Sequence, residues 1–143
     1  MLQLSTPQPA RQANPTIKAQ ALAYLIFERP DLAAAETFLT DFGLRIALRD
    51  SDARYFRGTG SAPFCYVVRQ AEQARFVGMG FRVASRADLA KLAALPGASA
   101  VRPLNAPGGG AVVSLTDPAG FTVEAVFGQT PVTAIPHRQP LPA

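Results

Sequence analysis

The feature that most restricts what this chain can fold into is a repeat: strand, helix and three strands, read twice in succession. The first copy opens at 19–28, where AQALAYLIFE sets Leu25 and Phe27 on one strand face and Leu22, Tyr24 and Ile26 on the other. Both faces are apolar, so both are expected to be covered. Pro30 and Asp31 suit a first helical turn, the proline through its fixed φ and the aspartate through the positive helix end. Leu32, Ala35, Phe38, Leu39 and Phe42 then recur at helical spacing, and Gly43 stands where a C-terminal cap belongs. Short strands are predicted at 44–48, 54–57 and 64–68, parted by Asp50-Ser51-Asp52 and Gly58-Thr59-Gly60.

The second copy begins with a strand at 77–83, Val77, Met79, Phe81 and Val83 on one face and Gly78, Gly80 and Arg82 on the other. Ser85-Arg86-Ala87-Asp88 is a capping-box variant with aspartate in the place of Glu or Gln. Its helix carries Leu89, Leu92, Ala93 and Leu95 and stops at Pro96-Gly97. A short strand is expected at 98–101, then a hairpin of 111–115 and 121–127 across Asp117-Pro118-Ala119-Gly120, a type I turn sequence. Aligning Phe27 with Phe81 and Asp31 with Asp88 gives an offset of 54 to 57 residues. One helix can shield only one face of its own sheet. Two such units must therefore share the other face, curling toward each other around a cleft. The fold class read here is α+β: paired βαβββ modules, about 19–71 and 74–128, in a curved, partly open mixed sheet with the helices outside.

The chain has 143 residues, of which 48% are hydrophobic, enough for one domain with a sizeable core and too few for two. Residues 1–18 lack periodicity and read as a flexible N-terminal arm; 129–143, with four prolines, reads as a proline-rich tail or linker. The formal charge is +4, but the arginines are scattered along the body, so no nucleic-acid partner is expected; a small anionic or aromatic molecule suits the balance better. Cys65 is the only cysteine and sits in Phe64-Cys65-Tyr66-Val67-Val68, which favours a small buried hydrophobe over a reactive thiol. A lone cysteine offers no intrachain disulfide, no apolar stretch reads as a leader and no run is long enough to span a membrane. A cytoplasmic location without membrane contact is the expectation. Pro107-Gly108-Gly109-Gly110 precedes a strand and lacks the Lys-Ser/Thr of a phosphate-binding loop; its glycines are expected to allow a tight approach to the hairpin.

Several segments together resemble the vicinal oxygen chelate superfamily, which includes glyoxalase I, the bleomycin-resistance proteins and the extradiol ring-cleaving dioxygenases. They are Tyr24 to Leu32, Phe38-Leu39-Thr40-Asp41-Phe42-Gly43-Leu44, Phe76 to Val83, Pro107 to Gly110, and Thr116-Asp117-Pro118-Ala119-Gly120-Phe121-Thr122-Val123-Glu124. The dioxygenase branch is the nearest match, specifically its N-terminal domain. In metal-dependent members two histidines and a glutamate hold a divalent ion, and the resemblance places those positions at Tyr24, Gly78 and Glu124. Only the glutamate matches. The single histidine, His137, falls in the proline-rich tail. Imidazoles are what give such a site its strong neutral bonds and open positions.

No cofactor is therefore expected in this chain, and Fe(II) or Mn(II) only if a second, metal-bearing domain exists; Glu124 is the lone metal-ligand candidate. The cleft-lining candidates are Tyr24, Gly78, Arg82 and Glu124. Tyr24 reads as a pocket aromatic whose ring could stack on a ligand, its hydroxyl at the wet end. Glu124 has two readings: a cleft carboxylate paired with an arginine such as Arg82, or a carboxylate on a partly solvated strand face, the second preferred because the histidines are missing. Three functions follow. The resemblance first implies a metal-free N-terminal module of a ring-cleaving dioxygenase, beside a following catalytic domain. The alternatives are a metal-free small-molecule-binding homodimer of the resistance type, or a metal-dependent lyase or dioxygenase with substituted ligands. The substrate is not legible.

Overall fold

The computed structural model describes residues 19–136; the expected arm at 1–18, His137 and the rest of the terminal segment lie outside the described residues. Ten elements follow one another: β1 (Ala21–Arg29), α1 (Leu32–Phe42), β2 (Arg45–Arg49), β3 (Ala53–Arg57), β4 (Tyr66–Gln70), β5 (Arg75–Arg82), α2 (Arg86–Ala93), β6 (Arg102–Pro103), β7 (Ala111–Thr116) and β8 (Thr122–Phe127). The eight strands form one mixed sheet in the order β2-β3-β4-β1-β5-β8-β7-β6, curled into a half-barrel. Strand for strand, the second half mirrors the first. The α+β class and the curved mixed sheet read from the repeat are the architecture observed.

The repeat is visible even in the hydrogen-bond register. At the central antiparallel seam Leu25 faces Met79, with Tyr24 opposite Gly80 and Ile26 opposite Gly78. Exchanging the strands at an offset of 54 turns the Phe27–Phe76 pair into Leu22–Phe81 and the Glu28–Arg75 pair into Ala21–Arg82, all of them observed. Both β-bulges, between Leu22 and Tyr24 and between Ile26 and Phe27, are copies of each other under the same exchange. A pseudo-two-fold axis thus runs through Leu25 and Met79.

The apolar residues divide by sheet face. On the helix side there are two separate clusters, Leu32 and Leu39 of α1 with Phe56 and Val68, and Leu89 of α2 with Val83, Ala111, Val113 and Ala125. On the opposite side one cluster joins both modules: Tyr24, Ile26, Tyr55, Phe64 and Val67 with Val77, Val112 and Val126. One continuous core on that face, against two on the other, is what a sheet curling toward it produces.

The structure corrects several local expectations. Asp31 is the N-cap of α1, its side chain accepting from the Ala34 amide, and helical residues start only at Leu32. The α1 stripe is narrower than its spacing suggested: Leu32 and Leu39 are buried, whereas Phe38 and Phe42 are 69% and 79% exposed. Leu22, expected on the Tyr24 face, pairs with Phe81 across the bulge and so lies on the Leu25 face, where it is largely exposed. Val77 belongs to the inner cluster and not to the Met79 face, because the bulge breaks the alternation there. The short strand expected at 98–101 forms instead at Arg102–Pro103. Ser85 caps α2 by accepting from the Asp88 amide, and Gly43 closes α1 with φ 121°. No helix among the described residues is long and apolar enough to cross a membrane.

Candidate functional site

The inner face carries a polar centre built from four strands. Tyr24 on β1 and Glu124 on β8 lie on either side of Gly80 on β5, and a Cβ at Gly80 would run into the Tyr24 ring. Across that gap the Tyr24 hydroxyl donates to Glu124 Oε1 at 2.6 Å, both residues being buried. Ser114 on β7, which pairs with Glu124, donates its hydroxyl to Oε2 at 3.1 Å. Arg102 on β6 donates from Nη2 to Ser114 Oγ at 2.6 Å and stands 3.7 Å from Glu124 Oε2. Its Nη1 donates to Ser99 Oγ at 2.7 Å, and the same oxygen accepts from the Ser114 amide at 2.9 Å. Both carboxylate oxygens of Glu124 therefore have internal donors, and a partly exposed guanidinium balances the charge.

A buried carboxylate without such partners would be costly. Its sequence-preferred placement on a partly solvated face is thus corrected: Glu124 is 6% exposed. The expected partner is corrected as well. Arg102 holds the carboxylate, while Arg82 borders a separate wide cavity of about 580 Å³ with Leu22, Val126 and Phe127. Arg102 was missed because its two-residue strand is too short to show periodicity; only the fold carries it to Glu124.

Tyr24 is not wet at its tip. The residue is 2% exposed, and its ring stacks on Phe64 with centroids 4.7 Å apart. Burial, the Glu124 charge and the hydrogen bond to it all hold the phenol well above its ordinary pKa, so it stays a donor. The Cys65 thiol is half-buried, and desolvation pushes it up from its ordinary value, which favours the protonated form.

Gly78 offers no side chain and no room for one. A Cβ there would overlap the Thr122 carbonyl on β8, the residue it pairs with. Tyr24, Gly78 and Glu124 thus do come from the central strands and β8, as the resemblance implies, yet they do not make a donor set for a divalent ion. One is a protonated phenol, one has no donor, and the carboxylate is already satisfied. Among the described residues no group of three or more His, Cys, Asp or Glu could hold a metal.

In front of the polar centre lies a cavity of about 210 Å³, bordered by Tyr55, Phe64, Val67, Arg69, Arg102 and Glu124 among others. The Tyr55 and Phe64 rings meet edge-on at 5.2 Å and form one wall. The glycine run 108–110, with φ between 59° and 98°, brings its loop against Pro63 and the Phe127 carbonyl, the tight approach expected of it.

No protein-family model matches the chain, and no curated protein matches it in sequence. Solved structures do match. The Mn(II)-bound glyoxalase from Novosphingobium aromaticivorans superposes with a TM-score of 0.77 at 21% identity, over 86% of this chain and 44% of that one. Homoprotocatechuate 2,3-dioxygenase from Brevibacterium fuscum, in complex with 3,4-dihydroxyphenylacetate, gives 0.74 at 26% identity, over 90% and 42%. The chain spans less than half the length of these structures. The resemblance read from its residues holds in three dimensions: this is the glyoxalase/dioxygenase fold of the vicinal oxygen chelate superfamily.

Proposed function

We propose that this chain is a metal-free module of the vicinal oxygen chelate fold, the counterpart of the N-terminal, non-catalytic module of an extradiol ring-cleaving dioxygenase. The observation that carries the reading is the replacement at the ligand positions. Where a metal would draw two imidazoles and a carboxylate together, a phenol proton and the Arg102 guanidinium hold the carboxylate. The 26% identity over 90% of this chain and 42% of the dioxygenase supports a likeness to one module of that protein. The Gly78 contact supports the absence of an imidazole ligand there, since a histidine side chain has no room without moving β8.

Anaerobic incubation with Fe(II) or Mn(II), dialysis and metal analysis test the reading. The expected result is no stoichiometric metal and no catechol cleavage. One tightly held ion per chain, with ring cleavage, overturns it. The cavity beside Glu124 favours a second reading, a metal-free small-molecule binder, because a module serving only as a scaffold has no need of a polar, aromatic-walled opening.

A further inference from the structure

We infer that the cavity beside Glu124 binds a small organic monoanion, a carboxylate carried on a single flat ring, and that Arg69 recognises it; this rests on the binding reading above. The charge balance around the cavity comes first. Its charged lining residues are Arg69, Arg102 and Glu124. Glu124 is matched by Arg102, the pair standing 3.7 Å apart. That leaves one positive charge. The Arg69 guanidinium has no hydrogen bond or ion pair among the described residues.

Strand geometry places that charge on the cavity side. Arg69 follows Val67 by two residues on β4, and strand alternation puts both on the inner face, where Val67 is part of the shared core. The field of Arg69 reaches the Tyr24 and Tyr55 hydroxyls and opposes the effect of burial on both. A planar guanidinium fits a carboxylate through two parallel N–H donors, better than it fits a halide or a neutral amide.

Size and walls define the rest of the ligand. A volume of about 210 Å³ lies below the range of about 300–1,000 Å³ in which drug-sized ligands are held, which leaves space for one ring. Tyr55 and Phe64 offer an aromatic wall, and Arg69 is exposed at the rim, where a ligand can exchange. Glu124 at the back, already bonded to Tyr24 and Ser114, turns away a second negative group.

The test is a titration of the full chain with sodium benzoate, followed by calorimetry and by amide NMR shifts, with EDTA present throughout so that no metal carries the binding. Benzamide, the neutral molecule of the same shape, is the control. Saturable binding of one benzoate is expected, with shifts centred on Tyr55, Phe64 and Val67 and far weaker binding of benzamide. Arg69→Gln, at an exposed position, keeps the fold and is expected to weaken benzoate binding by about tenfold or more, the usual scale for losing a charge-assisted hydrogen-bond partner. Absence of saturable binding, equal affinity for benzamide, or an Arg69→Gln variant that binds as well as the parent overturns the inference. Saturable binding of benzamide with no preference for benzoate would keep the binding reading while overturning this inference, so the two fail separately.

Discussion

Tyr24 shows how one side chain can serve a structural task at a position where the family resemblance implies a metal ligand. Its hydroxyl is the sole donor to Glu124 Oε1 among the described residues, and both side chains are buried. Tyr24→Phe keeps the ring and its stack on Phe64 but strands that oxygen. A loss of about 1–3 kcal/mol in urea-denaturation stability is expected, the cost of a buried group left without its partner. The pH dependence has a definite sign. Because the folded value lies above the unfolded value of 10.0, the unfolded chain releases the Tyr24 proton first as pH rises. The stability tied to this proton is complete below about pH 10 and is lost progressively above it. The parent should therefore lose stability more steeply than Tyr24→Phe on the alkaline side, with one phenolate signal appearing only on unfolding. Equal stability and equal alkaline slopes in the two proteins would remove the proposed role. This part of the site was half legible. Tyr24 and Glu124 could be singled out by resemblance, but not their contact, because it spans 100 residues and depends on Gly80 lying between them.

At the scale of elements, β5 and β8 approach closely enough that Gly78 has no space for even a methyl group. The atom in the way is a backbone carbonyl of a paired strand, which cannot swing aside as a side chain could. Gly78→Ala is expected to destabilise the fold by about 2–3 kcal/mol, the upper part of the usual overpacking range. Gly58→Ala, where an added Cβ meets nothing within 4 Å, is the control and should stay within about 0.5 kcal/mol. Matching thermal unfolding curves for Gly78→Ala and the parent would refute the contact. Every strand but β6 was readable in the sequence, and both helices from their caps and spacing. What alternation misses is a bulge, since one extra residue changes no residue type yet moves Val77 to the inner face. The α1 stripe failed for a related reason. Periodicity shows which residues share a helix side, but only the sheet's width decides that Leu39 is covered and Phe42 is not.

The whole molecule depends on a seam in which the two copies have become unequal. At the pseudo-two-fold axis Tyr24 and Ile26 of β1 face Gly80 and Gly78 of β5, large against small in both pairs. By the 54-residue offset Tyr24 corresponds to Gly78 and Ile26 to Gly80. Two first modules meeting through the same register would set Tyr24 against Ile26 twice, where the native seam has no room beside the tyrosine ring even for a Cβ. Two second modules would set glycine against glycine and leave the inner core without its tyrosine. The shared cluster points the same way, since Val77, Val112 and Val126 complete a core begun by Tyr24, Phe64 and Val67. Residues 129–135 add a further tie: Thr130 donates to the Gly108 carbonyl, while Val132 and Ile135 donate to those of Ser61 and Thr59. The second copy's chain end is thereby fastened to both modules. A fragment of residues 1–71 is therefore expected neither to fold alone nor to rebuild the seam with itself. Its amide NMR spectrum should show the narrow dispersion of an unfolded chain, and sedimentation should show no dimer with a cooperative thermal transition. A folded, two-fold dimer of that fragment would mean the glycines of β5 are not what the seam requires, and the complementarity of the two copies would lose its physical basis.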